Sequence, residues 1–198
     1  MQKRGHNGFA FFETNSGFQL LNDRQDRYDA FQLTLRRAFR RNYAILAAYT
    51  RSRAHSNAVL ENSIDNPVFG LQAGGPLPWD APNHFISWGW MALVKKFDFV
   101  YSFDWRSGFP FSAVDQQQRF VGDLNSHRFP DYLTLNTHLE RRFTLFSYIL
   151  ALRAGFNNVT NRQNPTVVNN NLDSPKFLTF GGTEHRVLTG RVRFIGRK

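Results

Sequence analysis

The sequence predicts an all-β fold: a segment of an antiparallel, up-and-down transmembrane β-barrel, with about seven strands and therefore incomplete. Three observations predict it. Apolar and polar residues alternate at period two in stretch after stretch, as strands with two unlike faces require. Short and long links alternate strictly between those stretches. Aromatics make up 16% of the 198 residues, with 21 Phe, yet the mean hydropathy is −0.45. That pairing does not suit a compact soluble core.

The strands are read in order. "DAFQLTLRRAF" (29–39) sets Phe31, Leu33 and Leu35 against Gln32, Thr34 and Arg36. "YAILAAYTRS" (43–52) sets Tyr43, Ile45 and Tyr49 on one face. Its alanines also suit a helix around 42–48, but the alternation favours a strand. "HFISWGWMAL" (84–93) sets Ile86, Trp88 and Trp90 against Ser87 and Gly89. "FDFVYSFDWR" (97–106) is the clearest: Phe97, Phe99, Tyr101, Phe103 and Trp105 oppose Asp98, Val100, Ser102, Asp104 and Arg106. "YLTLNTHLERRF" (132–143) sets Leu133, Leu135 and Leu139 against Thr134, Asn136, His138 and Glu140. "YILALRAGFNN" (148–158) sets Tyr148, Leu150, Leu152 and Phe156 against Arg153 and Asn157. "LTGRVRF" (188–194) sets Leu188, Val192 and Phe194 against Thr189, Arg191 and Arg193.

The links "RRN" (40–42), "VKK" (94–96) and "TLF" (144–146) are tight turns, and 54–83, 109–131 and 159–184 are long loops. In a meander all the tight turns then lie at one end and all the loops at the other. Loops above about 15 residues are uncommon in compact domains. Outer-membrane barrels have short periplasmic turns and longer outer loops. In such a barrel the apolar face meets lipid and the polar face meets the lumen. Phe99, Tyr101, Phe103, Trp88 and Trp90 are expected toward lipid. The lumen-facing candidates are Arg36, Asp104, Arg106, Asn136, Arg153 and Arg191. A soluble antiparallel β-sandwich shares the alternation but accounts for neither the loop asymmetry nor the aromatic excess.

Several stretches together resemble the C-terminal barrel of a TonB-dependent receptor, more closely its Oar-like branch. They are "YTRSRAHS" (49–56), "WRSGFPFS" (105–112), "RFPDYLTLNTHLERRF" (128–143), "LRAGFNNVTN" (152–161) and the terminal "RVRFIGRK". Their order and spacing cover about 27–198; residues 1–26, with "GFAFFE" (8–13) and "GFQLL" (17–21), are expected as an outer-loop or hairpin element. Family members often end in an aromatic residue, whereas here Ile-Gly-Arg-Lys follows Phe194. The resemblance implies a barrel of roughly 22 strands closed by a plug. The chain is thus expected to be a fragment lacking N-terminal strands and plug. Its expected partners are outer-membrane lipid, those strands and plug, the TonB complex acting through the plug, and an extracellular ligand.

Nothing points to catalysis or to a cofactor. The six His (6, 55, 84, 127, 138 and 185) show no metal-ligand spacing such as H-E-x-x-H, and Cys is absent. "GLQAGGPLP" (70–78) lacks the residues of a phosphate loop, and Asn158-Val-Thr160 is a chance glycosylation match. "NPTVVNNN" (164–171) reads as an array of Asx turns. The net charge of +10 suits an anionic membrane surface. Nucleic acid is not expected, because no recognised module accompanies the basic residues. The expected function is therefore part of an outer-membrane receptor wall for uptake of a bulky nutrient. The alternatives are a passive pore or adhesion barrel, and a soluble β-sheet binding protein.

Overall fold

The computed structural model describes residues 3–4, 10–11, 24–39, 42–57, 74–93 and 96–197. Seven long strands dominate it: β1 (Asp26–Phe39), β2 (Tyr43–Ser56), β3 (Asn83–Ala92), β4 (Phe97–Arg106), β5 (Tyr132–Leu145), β6 (Tyr148–Asn157) and β7 (Val187–Arg197). They pair antiparallel in chain order, as one meander. Gly75–Pro76 adds a short pairing to the end of β2. No helix occurs among the described residues. The predicted all-β antiparallel sheet is the observed one. It is open: β1 and β7 are its edges and do not pair with each other. Of the N-terminal element, Lys3–Arg4 paired with Ala10–Phe11 and residues 24–26, the last of which opens β1, are described; "GFQLL" and most of "GFAFFE" lie outside the described residues.

The alanine-rich stretch at 43–48 is strand, and tertiary pairing explains it. Ala44 stands opposite Trp90 and Ala48 opposite Ile86, so small residues face bulky neighbours. The third tight turn lies further along than predicted. β5 runs through Leu145, Leu145 pairs Tyr148, and the turn is Phe146–Ser147. Phe146 takes the left-handed conformation (φ 53°), which lets a two-residue hairpin follow the twist of its strands. Thr144 and Leu145, counted as turn from the sequence, continue the ladder instead. At the same end the Ala92 amide donates to the Asn42 carbonyl at 2.7 Å, tying two turns together. Residues 40–41 and 94–95 of the other predicted turns lie outside the described residues.

Residues directly paired across an antiparallel ladder project to the same side. Reading outward from β4, Phe97 to Trp105 share a face with Tyr43, Ile45 and Tyr49, with Leu133, Leu135 and Leu139, and with Phe156. Leu188, Val192 and Phe194 join them on β7. The other face carries Asp98, Asp104, Arg106, Asn136, His138, Glu140, Arg153 and Arg191. One expectation is overturned here. Trp88 pairs Ser102 and Trp90 pairs Val100, so both indoles stand on the charged face, opposite to Phe99, Tyr101 and Phe103. Both alternations of β3 contain large apolar residues, so hydropathy leaves its parity open. A one-residue change of register would exchange the two faces.

The apolar face is uncovered. Phe31, Leu33, Leu35, Leu188, Val192 and Phe194 are each 60–69% exposed, and no second layer packs on it among the described residues. Its polar groups satisfy one another. The Tyr101 hydroxyl meets Ser87 Oγ at 3.0 Å. Tyr101 is placed opposite Gly89, where an added Cβ would come within 3.0 Å of its ring.

The compact core lies at the other end of the strands, in the long loops. Leu77, Phe111, Ala113, Val114 and Leu124 are buried there. Phe111 packs on His127 and Phe129, and Phe129 on Phe180. Pro110–Phe111 pairs with His127–Arg128, Val167–Val168 with Phe180–Gly181, and Val114 bridges to Asn171. The predicted Asx array exists in part: Asn169 Oδ1 accepts from the Asn171 amide and Asn171 Oδ1 from the Asp173 amide. Asn164, 1% exposed, instead pairs its amide with both backbone groups of Leu133. Asn158 is buried and its side-chain amide donates to the Arg162 and Glu184 carbonyls, so it is sequestered from glycosylation.

Two of these loops are joined by an ion pair. Arg128 binds the Asp80 carboxylate, and also donates to the Asp80 and Gly108 carbonyls. Asp80 is 3% exposed and also accepts from the Ala54 amide at 2.6 Å. Arg128→Ala removes the main partner of a buried carboxylate and is expected to cost about 1–3 kcal/mol locally. Faster hydrogen exchange at Ala54 and Leu77, with β5–β6 amides unchanged, is the expected readout.

The 115–119 turn supplies a pH test. Asp115 accepts from the Gln117 and Arg119 amides and pairs with Arg119 Nε at 2.9 Å. Its carboxyl is held below the usual range, first by the Arg119 backbone amide, then by the Arg119 guanidinium and the Gln117 amide, against an opposing desolvation. A folded value below the unfolded one stabilises the turn fully above the unfolded value, and the contribution is lost as pH falls through the folded value. Exchange protection of Gln117 and Arg119 should therefore persist from neutral pH down through the usual carboxylate range and fail only in stronger acid. Asp115→Asn should remove that dependence.

Candidate functional site on the polar face

The pairing register lines up side chains in rows across the strands. One row is Asp98, Glu140, Arg153 and Arg191 on β4 to β7. The next is Trp90, Val100, His138, Gly155 and Thr189 on β3 to β7. A third is Arg142, Ala151 and Arg193 on β5 to β7. β6 contributes small residues at two of these positions, and each lets neighbours reach across. Over Ala151, Arg193 reaches Glu140 Oε1 at 3.3 Å; Arg142, two residues along β5 from Glu140, approaches the same oxygen at 3.7 Å. Over Gly155, His138 Nε2 meets Thr189 Oγ1 at 2.9 Å.

The Gly155 position requires glycine. An added Cβ would stand 2.1 Å from the Thr137 carbonyl oxygen and 2.9 Å from the His138 ring. Arg153 donates to His138 Nδ1 at 3.2 Å. A guanidinium has only donors, so Nδ1 accepts and Nε2 carries the proton that it gives to Thr189. The imidazole is thereby held in one orientation.

The six lumen candidates share this face but do not form one cluster. Arg153 and Arg191 are directly opposed. Asp104 accepts from or shares a proton with His84 Nε2 at 3.0 Å. Arg106 lies between the rings of Phe109 and Tyr132, at 4.2 and 4.4 Å from their centroids. Asn136 is committed to Ser102 Oγ and the Asn158 amide. Arg36 stands on β1, opposite Leu46 and away from the others.

Two hollows open on the polar face around Arg153. The larger, about 720 Å³, is lined by Trp88, Trp90, Asp98, Ser102, Glu140, Arg142 and Arg153. The smaller, about 290 Å³, is lined by His138, Arg153, Asn157, Thr189 and Arg191. Of these residues Arg153 and Arg191 were site candidates from the sequence, and Asp98 was expected on the same lumen-facing side. The missed signals were the two Trp at i and i+2 and the small residues at 151 and 155. No group of three or more His, Asp or Glu poised for a metal ion occurs among the described residues. The groups gathered there are indole faces, carboxylates and guanidiniums.

No protein-family model matches this chain, and no curated protein matches its sequence.

Gly155→Ala tests the crossing at β6. The Cβ must displace backbone, at a cost of about 1–3 kcal/mol, and should break the His138–Thr189 hydrogen bond. The expected readouts are a lowered unfolding midpoint and a changed imidazole nitrogen shift, whereas Ala154→Gly should leave the imidazole signal in place.

Proposed function

We propose that the chain forms part of the wall of an outer-membrane β-barrel of the TonB-dependent receptor type, through which a bulky nutrient enters. The observation that carries this reading is the bare apolar face. Taking even ten Phe- or Leu-sized side chains out of water contributes roughly 15–30 kcal/mol, more than the net stability of about 5–15 kcal/mol of an ordinary domain. Something must cover that face, and lipid covers it without a second protein layer.

Dimensions support the same reading. Phe97 to Trp105 spans eight residue steps, about 27 Å along the strand. Tilted by about 40°, that gives roughly 21 Å of height, close to the apolar band of about 25 Å of such barrels. Toward the long loops the same face turns polar at Arg51, Arg53, Asp29 and Asn83. There Asn83 Oδ1 accepts from Tyr49 and Arg51. The partners are then lipid outside, further strands at the β1 and β7 edges, and a plug coupled to TonB inside. An unpaired edge in lipid costs several kcal/mol for each bare backbone group, so both edges need strands from elsewhere.

Cysteine labelling from outside intact cells tests the topology. A membrane-impermeant thiol reagent should reach Asp123→Cys and Lys176→Cys in the long loops and not Phe146→Cys at the tight turn. The protein should also leave the membrane fraction only with detergent. Release by salt alone, or labelling of Phe146→Cys with protection of Asp123→Cys, would overturn the proposal.

A further inference from the structure

We propose that Arg51 and Arg53 hold the phosphate of an anionic lipid, with its acyl chains lying over Phe31, Leu33 and Leu35. The proposal rests on the barrel reading and names the lipid that the outer surface takes at its loop end.

The apolar face changes character within one step of register. On β1 and β2 the pairs Leu35–Ala47, Leu33–Tyr49 and Phe31–Arg51 follow one another toward the long loops, and Asp29–Arg53 and Arg27–His55 come next. Residues of one face are about 7 Å apart along a strand. Guanidiniums therefore stand directly above the exposed side chains of Phe31, Leu33 and Leu35. A phospholipid has the same two parts in the same order: acyl chains and, just beyond them, a phosphate. Apolar burial and attraction to anionic headgroups add in binding such a surface.

The charges there do not balance. Arg27 takes both oxygens of Asp29, at 2.7 and 3.3 Å. Asp29 is thus engaged, although Arg53 stands opposite it. Arg53 is exposed and makes no hydrogen bond or ion pair with any described residue. Arg51 is exposed too, and its partner is neutral: Asn83 Oδ1, at 2.6 Å. A hollow of about 530 Å³ is lined by Phe31, Arg51, Arg53 and His55, all on this face by register. Asp80 and Arg128 also line it, and they pair with each other. Two guanidiniums are left without a counter-charge beside a hollow, and a guanidinium binds phosphate through forked hydrogen bonds.

The missing parts of a barrel leave this surface open. A plug lies against the opposite face. β2 is flanked by β1 on one side and by β3 and Gly75–Pro76 on the other. A strand added at the β1 edge then runs two strand spacings, about 10 Å, from β2, and does not cover Arg51 or Arg53. The turn end of the same face has no such pair. Arg37 stands alone opposite Ile45, and Arg141, on β5, lies over the Phe97 ring at 5.0 Å.

The test uses the full polypeptide that carries this chain, purified in mild detergent and mixed with phosphatidylglycerol or zwitterionic phosphatidylcholine of the same chain length. Bound lipid is counted by native mass spectrometry. An arginine near an anionic lipid surface contributes about fivefold in affinity, so phosphatidylglycerol should be preferred about 25-fold. Arg53→Gln should reduce the preference to about fivefold, and Arg51→Gln with Arg53→Gln should abolish it. Arg53→Lys keeps the charge but loses the fork, so it should fall between, and it serves where a glutamine variant misfolds. Arg37→Gln and Arg119→Gln should change nothing. Millimolar inorganic phosphate, which lacks acyl chains, should displace little of the lipid. Full displacement by phosphate overturns the lipid assignment in favour of a simple anion site. No preference in the parent protein, or an unchanged preference in the Arg51 and Arg53 variants, overturns the site. Cysteine labelling and the detergent requirement judge the barrel reading separately, because neither depends on these two arginines.

Discussion

The pairing of β4 with both its neighbours fixes the side of the sheet on which every other strand residue stands. Phe97, Phe99, Tyr101, Phe103 and Trp105 define one face, and each hydrogen-bonded partner inherits its side from them. The constraint is geometric, because side chains alternate with period two and paired residues share a side. Everything else is subordinate to it: the bare apolar face, the charged rows opposite, and the two indoles among the charges. Backbone hydrogen bonding supplies the cohesion that a dry core supplies in a globular domain. It leaves β1 and β7 as edges with unmet donors and acceptors.

Side-chain burial is concentrated where strand pairing ends. The 109–131 connection packs on 159–184 through His127 on Phe177 and Phe129 on Phe180, and is tied to 54–83 by Asp80–Arg128 and by Asn125, whose side-chain amide donates to the Pro76 carbonyl. The strands thus form a single open sheet, and the loops make a packed end with its own small core.

The polar face is organised by small residues as much as by charged ones. Ala151 and Gly155 on β6 let Arg193 and His138 reach across that strand to Glu140 and Thr189. The result is a graded surface, with carboxylates toward β4 and guanidiniums toward β7. Arg153 stands at the change of sign. The indoles of Trp88 and Trp90 lie beyond the carboxylates, opposite Leu46 and Ala44 respectively, in place of the polar residues that neighbouring strands supply.

The sequence by itself determined the number of strands, their order as a meander and the alternation of short and long links. Those features are local, since strand periodicity and link length are written in neighbouring residues. It also put Arg36, Asp104, Arg106, Asn136, Arg153 and Arg191 on one face, because β1 and β4 to β7 each carry an unambiguous pattern. Only the tertiary structure decided the parity of β3, where Phe85 and Met91 compete with Ile86, Trp88 and Trp90. Both sides carry large apolar residues there, and the ladder to Ser102 and Val100 decides between them. Tertiary pairing also moved the third turn to Phe146–Ser147, since Thr144 and Leu145 gain partners in Ile149 and Tyr148. The rows that join Glu140 to Arg193, and His138 to Thr189, link residues about fifty positions apart. Such contacts depend on register across an intervening strand, which no local pattern encodes.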